Sequence, residues 1–135
     1  MGKVRELNQK KYGISKYRFR ELYYLCLQYN EWKDELKYKN NTVQSIQITD
    51  SPSSGGNGNA TESLAFRRTA LQEKCKIIEE TAKEAAPDIY QYIMKAVTND
   101  WVTYIYLKNV MEMPCGKDKY YERRRKFYWL LSEKI

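Results

Sequence analysis

The sequence predicts an all-α fold, a helical hairpin or bundle, and three observations carry that expectation. Apolar residues recur at alternating spacings of three and four along two long stretches, the period of helices packed along a seam. Residues that start and stop helices bracket those stretches: Ser15 just after Gly13, then Asn40-Asn41, then Ala86-Pro87. Strand-like alternation is confined to Ile46 and Ile48, too brief for a sheet.

Size and composition narrow the class of protein. A chain of 135 residues, 42% of them apolar, can bury one real core. No run approaches the ~18 apolar residues of a membrane span. Met1-Gly2-Lys3-Val4-Arg5-Glu6 leads into no apolar stretch that could act as a secretory signal. The expectation is a soluble cytoplasmic protein with no membrane partner. Histidine is absent, which removes the commonest general base and metal ligand. Cys26, Cys75 and Cys115 are odd in number and widely spaced, with no C-x-x-C pair, so they read as reduced thiols packed as small hydrophobes. No metal or cofactor is expected. No nucleophile–base constellation is visible either, so the chain does not read as an enzyme.

The first element is a basic arm and long helix over residues 1–39. Its helix starts at the N-cap Ser15 and carries the seam Leu22, Leu25, Tyr29, Trp32 and Leu36. Residues 40–60 read as a flexible linker, because Thr49 to Asn59 contains no apolar side chain to offset the entropy of ordering it. Its glycines do not make a phosphate loop: Thr61 stands where G-x-G-x-x-G needs its third glycine. A second long helix spans residues 61–86, with the seam Leu64, Leu71, Cys75, Ile78, Ala82 and Ala85. The two seams have matching periods. They suit an antiparallel hairpin, or a homo-oligomer in which they zip against a second copy of the chain.

Residues 87–135 form the last region. A shorter amphipathic helix covers 88–97, with Pro87 just inside its start and Ile89, Ile93 and Val97 as its buried stripe. Thr103 caps a short helix with apolar Tyr104, Leu107, Val110 and Met111. Glu112-Met113-Pro114 interrupts it, since the residue before proline disfavours helix. A long helix then opens after Cys115-Gly116.

Charge is concentrated at the two ends. Lys3, Arg5, Lys10, Lys11, Lys16, Arg18 and Arg20 face only Glu6 in the first twenty residues. The final helix carries Lys117, Lys119, Arg123, Arg124, Arg125 and Lys126 against Asp118 and Glu122. The whole chain has a net charge of +7, which suits a polyanionic partner. A short helix, a tight turn and a long basic helix have the pattern of a helix-turn-helix, whose second helix enters the major groove of double-stranded DNA. Tyr120, Phe127, Leu130 and Leu131 would hold that helix on its scaffold. Lys117, Lys119 and Arg123 are placed for base edges, Arg124, Arg125 and Lys126 for phosphates, and Tyr121 for a base or sugar. The basic N-terminal segment reads either as an arm on phosphates or as a solvated tail.

The stretch Thr103-Tyr104-Ile105-Tyr106-Leu107, with Met113-Pro114-Cys115-Gly116-Lys117-Asp118-Lys119-Tyr120-Tyr121-Glu122-Arg123-Arg124-Arg125-Lys126-Phe127-Tyr128-Trp129-Leu130-Leu131, resembles the C-terminal end of RinA/ArpU-type late-gene transcriptional regulators of phages and prophages. The resemblance is best over residues 87–135. It implies a domain like region four of sigma factors, with 88–97 packed before the motif and 116–134 as recognition helix. It also implies host RNA polymerase as a partner and a place by the nucleoid of a bacterial host. One departure is the turn, where Glu112-Met113-Pro114 lacks the glycine that many such turns carry. Two other readings remain open from sequence: the small subunit of a phage terminase, or a protein-interaction module that inhibits host machinery.

Overall fold

The computed structural model describes residues 13–38 and 56–135. It is all-α: no strand occurs among the described residues. Helix α1 covers Lys16–Leu27 and helical residues 29–38 form α2. They are followed by α3 (Gly56–Ala85), α4 (Tyr90–Val97), α5 (Tyr104–Asn109) and α6 (Lys117–Lys134). No helix of the described residues is long and apolar enough to cross a membrane. The chain divides into two compact units, one of Met1–Tyr29 with Ile77–Ile135 and one of Asn30–Lys76.

Ser15 is the N-cap of α1, its side chain accepting a hydrogen bond from the Arg18 N–H at 3.1 Å. The helix does not run unbroken to residue 39 as the seam suggests. At Gln28 the backbone tightens, its N–H bonding to the carbonyl of Leu25 at 3.1 Å, three residues back in place of four. No glycine or proline requires this break. It separates a stretch that packs in the first unit from one that packs in the second.

The second unit is a helical pair. Arg67 grips both carboxylate oxygens of Glu35, and Arg68 donates to the carbonyl of Leu36 at 2.8 Å. Lys74 sits over the Trp32 ring, 5.3 Å from its centroid. Residue numbers fall along α2 as they rise along α3, so the pairing is antiparallel. The seams that sequence left free to pair either way thus meet within one chain here. Among the described residues of this unit, Trp32, Leu71 and Cys75 are buried. Helix α3 begins at Gly56, ahead of Thr61. It crosses Gly56-Asn57-Gly58 despite a propensity cost of about 1 kcal/mol per glycine. The remainder of the expected linker, residues 40–55, lies outside the described residues.

The first unit holds the larger core. Helices α1, α4 and α6 pack against one another. Phe19, Leu22, Tyr23 and Cys26 enter from α1, Ile89, Ile93 and Val97 from the α4 region, and Tyr120, Phe127, Tyr128 and Leu131 from α6. Phe19 and Tyr128 meet edge-to-face at 5.0 Å, as do Phe127 and Tyr128 at 5.1 Å, a favoured geometry for ring quadrupoles. The expected stripe of α4 is therefore correct in register. Its start is not: Pro87 lies between α3 and α4, and α4 opens at Tyr90. Pro87 instead ends α3 through the residue before it, as proline does. Thr98 and Asn99 close α4, their side chains donating to the carbonyls of Met94 and Lys95.

Candidate nucleic-acid interface

Thr103 caps α5, its side chain accepting from the Tyr106 N–H at 3.1 Å. Leu107 is the core contact of this short helix. Val110, expected beside it, is 63% exposed, because α5 ends at Asn109 and the chain turns before Val110 can reach the core. The turn is tight. The N–H of Met113 bonds to the carbonyl of Leu107 at 3.0 Å, and Glu112 takes a φ of 57°. That is the left-handed region where glycine is at ease and other residues are strained, so Glu112 does what the missing turn glycine would do. Lys108 braces the turn, its Nζ donating to the carbonyls of Met113 and Cys115 at 3.2 Å each. Met113 is buried beneath it.

Gly116 is the N-cap of α6 and provides no side-chain cap. From there the helix shows two faces. Tyr120, Phe127, Tyr128 and Leu131 turn inward and are buried, whereas Leu130, expected with them, is only half-buried. Arg124 lies in the middle of this inner face, since Tyr120, Arg124, Phe127 and Leu131 are spaced four, three and four apart. Its guanidinium stacks 5.2 Å from the Tyr128 ring centroid and 5.8 Å from that of Phe19. Arg124 therefore joins α1 to α6.

The face of α6 beside that inner face bears a concavity of about 160 Å³ lined by Lys117, Asp118, Tyr121 and Arg125. Tyr121 is set by ring contacts to Tyr120 at 4.8 Å and Tyr104 at 6.4 Å, so α5 helps to form this face. The Nε of Arg125 is enclosed and has no hydrogen-bond partner. Of the seven residues expected to bind DNA, Lys117, Tyr121 and Arg125 are thus brought together. The remaining four are dispersed. Lys119 pairs with Asp88, and Arg123 pairs with Glu122 at 2.8 Å. Arg124 is engaged by aromatic rings, and Lys126 is half-buried elsewhere on the helix. The arm residues Lys3, Arg5, Lys10 and Lys11 lie outside the described residues.

Electrostatics follow the same division. Burial pushes the Tyr120 phenol up to about 12 and raises Tyr128 and Cys26 further, although Arg124 opposes each shift. On the exposed side, the hydrogen bond from Lys119 holds the Asp88 carboxyl below its ordinary value. Among the described residues no three histidine, cysteine or acidic side chains converge as a metal site would need.

Asp118, Lys108 and Glu112 are the residues of this region that reasoning on residue type missed. Asp118 was visible in the spacing, because Asp118, Tyr121 and Arg125 stand at i, i+3 and i+7. No protein-family model matches the chain, and no curated protein or solved structure is similar to it.

Proposed function

We propose that the protein is a phage-type DNA-binding transcriptional regulator, in which α5, the Glu112 turn and α6 act as a helix-turn-helix. The observation that carries this reading is the outer face of α6. It gathers Lys117, Tyr121 and Arg125 in one concavity, on a helix whose neighbouring face is anchored by Tyr120, Phe127, Tyr128 and Leu131. A recognition helix needs this division between a fixed back and a donor-bearing front. The net charge of +7 supports attraction to a polyanion. Host RNA polymerase as a partner and action at the bacterial nucleoid belong to the same proposal and rest on the resemblance over residues 87–135.

The test is binding of the purified protein to labelled duplex DNA at several salt concentrations. Contacts to several phosphates make log affinity fall linearly and steeply with log salt. Arg125→Ala weakens binding while the helical content and melting of the protein stay unchanged. Absence of binding at low salt, with folded protein, rejects the proposal. A second reading, a protein-interaction module, is favoured by one observation: Trp101, Ile105 and Val110, on and beside α5, are 55%, 67% and 63% exposed. Exposed apolar side chains gathered in one region mark protein contacts, and salt-insensitive binding to a protein with none to DNA would establish that reading.

A further inference from the structure

One member of the outer concavity does not suit simple attraction to phosphate. Asp118 lines it together with Lys117, Tyr121 and Arg125, and a carboxylate there is repelled by a polyanion. Three other acids around α6 are bound to a base, Asp88 to Lys119, Glu122 to Arg123 and Glu84 to Lys134, while Glu133, near the C-terminal end of the helix and away from the concavity, is exposed without an ion pair to another described residue. Asp118, by contrast, is exposed and makes no ion pair with another described residue. Its carboxylate shares a concavity with two cations and is bonded to neither. Arg125 likewise makes no ion pair with another described residue, although its Nε is itself enclosed. The concavity thus holds a guanidinium and a carboxylate, neither of them ion-paired with another described residue.

Base edges of the major groove call for this pair. Guanine presents two acceptors, O6 and N7, which an arginine fork meets bidentately. Cytosine presents the N4 amino donor, which is met by a carboxylate. We propose that the outer face of α6 reads guanine through Arg125 and cytosine through Asp118. This inference rests on the DNA-binding reading above and gives it a sequence preference. Asp118 and Arg125 are seven residues apart, roughly 10 Å along the helix axis. At about 3.4 Å per base-pair step, the two bases lie within roughly three base pairs of each other. Asp118 then serves specificity at the expense of general affinity. It repels the backbone of every duplex, and only a cytosine at the right step compensates.

The experiment is selection of preferred duplexes from a random pool by the wild-type protein, then repetition with Asp118→Asn and Arg125→Ala. Asparagine retains the shape of the side chain but pairs with the N6 and N7 positions of adenine. The expected result is a site containing a guanine and a cytosine no more than about three steps apart. Asp118→Asn should then shift the cytosine position towards adenine, with about a ten-fold change in discrimination, and should strengthen binding to unrelated duplexes. Arg125→Ala should erase the preference at the guanine position and leave the cytosine position intact. Melting curves confirm that each variant is folded. If Asp118 acts only as a favourable charge in the first helical turn, Asp118→Asn will lower the melting temperature and leave every base preference unchanged, which overturns the inference while DNA binding stands. If the wild-type protein selects no site because it binds no duplex, the underlying DNA-binding reading fails as well.

Discussion

The two faces of α6 are built from the same kinds of residue and do opposite work. On the inner face Tyr120, Arg124 and Tyr128 pack against α1 and the core. On the outer face Tyr121 and Arg125, each one position away from an inner-face counterpart, line a concavity with Lys117 and Asp118. A step of about 100° around the helix separates Arg124 from Arg125. It turns one guanidinium into a structural clamp and leaves its neighbour available. Residue type says that the helix is basic and aromatic. Phase says which of those residues can reach a ligand.

This contrast can be sharpened or broken by mutation, and the largest effect belongs to the inner face. Phe127→Ala removes a fully buried ring and should cost about 3–5 kcal/mol, a large part of the stability of a domain of this size. A urea midpoint unchanged from wild type would show that the inner face is not the anchor. Alkaline pH comes next. Tyr120 is held neutral up to about 12, against an ordinary phenol pKa near 10. Its stabilising contribution is complete below about pH 10 and is lost as pH rises through about 12, on the order of 2–3 kcal/mol. The burial shifts of Tyr128 and Cys26 act in the same direction. Urea midpoints compared across that range should fall in step with tyrosinate absorbance.

Arg124→Ala and Arg125→Ala form the most direct comparison. Losing two ring contacts should make Arg124→Ala less stable by about 1–2 kcal/mol, seen as a lower melting temperature. Arg125→Ala should stay within about 0.5 kcal/mol of wild type. Equal effects would erase the distinction between the faces. The smallest change is a gain. Glu112→Gly relieves a left-handed residue and should stabilise the protein by about 0.5–1 kcal/mol; a loss would mean that the Glu112 side chain supports the turn.

Much of the fold was legible before any coordinates. Ser15 and Thr103 are the caps that residue type suggests, because a side-chain oxygen ahead of a helix satisfies an otherwise orphaned N–H. Leu71, Cys75, Ile78, Ala82 and Ala85 are all buried, since a regular seam admits one buried face. Ile89, Ile93 and Val97 hold for the same reason. The break at Gln28 was not legible, as no glycine or proline marks it. Nor was the exposure of Val110, which depends on where the short α5 ends. The candidate site was legible in part. Lys117, Tyr121 and Arg125 were named for their chemistry, but Arg124 was named with them although its spacing from Tyr120 and Phe127 places it on the buried side.

By itself the sequence determined the local and periodic features: helices, caps, seams, and a basic final helix after a tight turn. These depend on interactions within a few residues, which composition and spacing encode directly. Only the tertiary structure decided which charges are occupied. Lys119 meets Asp88 from thirty-one residues away, and Arg124 meets Phe19 from the far end of the chain. Pairings across such separations carry no local signature. They arise when packing brings distant helices together, and they decide which cations of α6 stay available for a ligand.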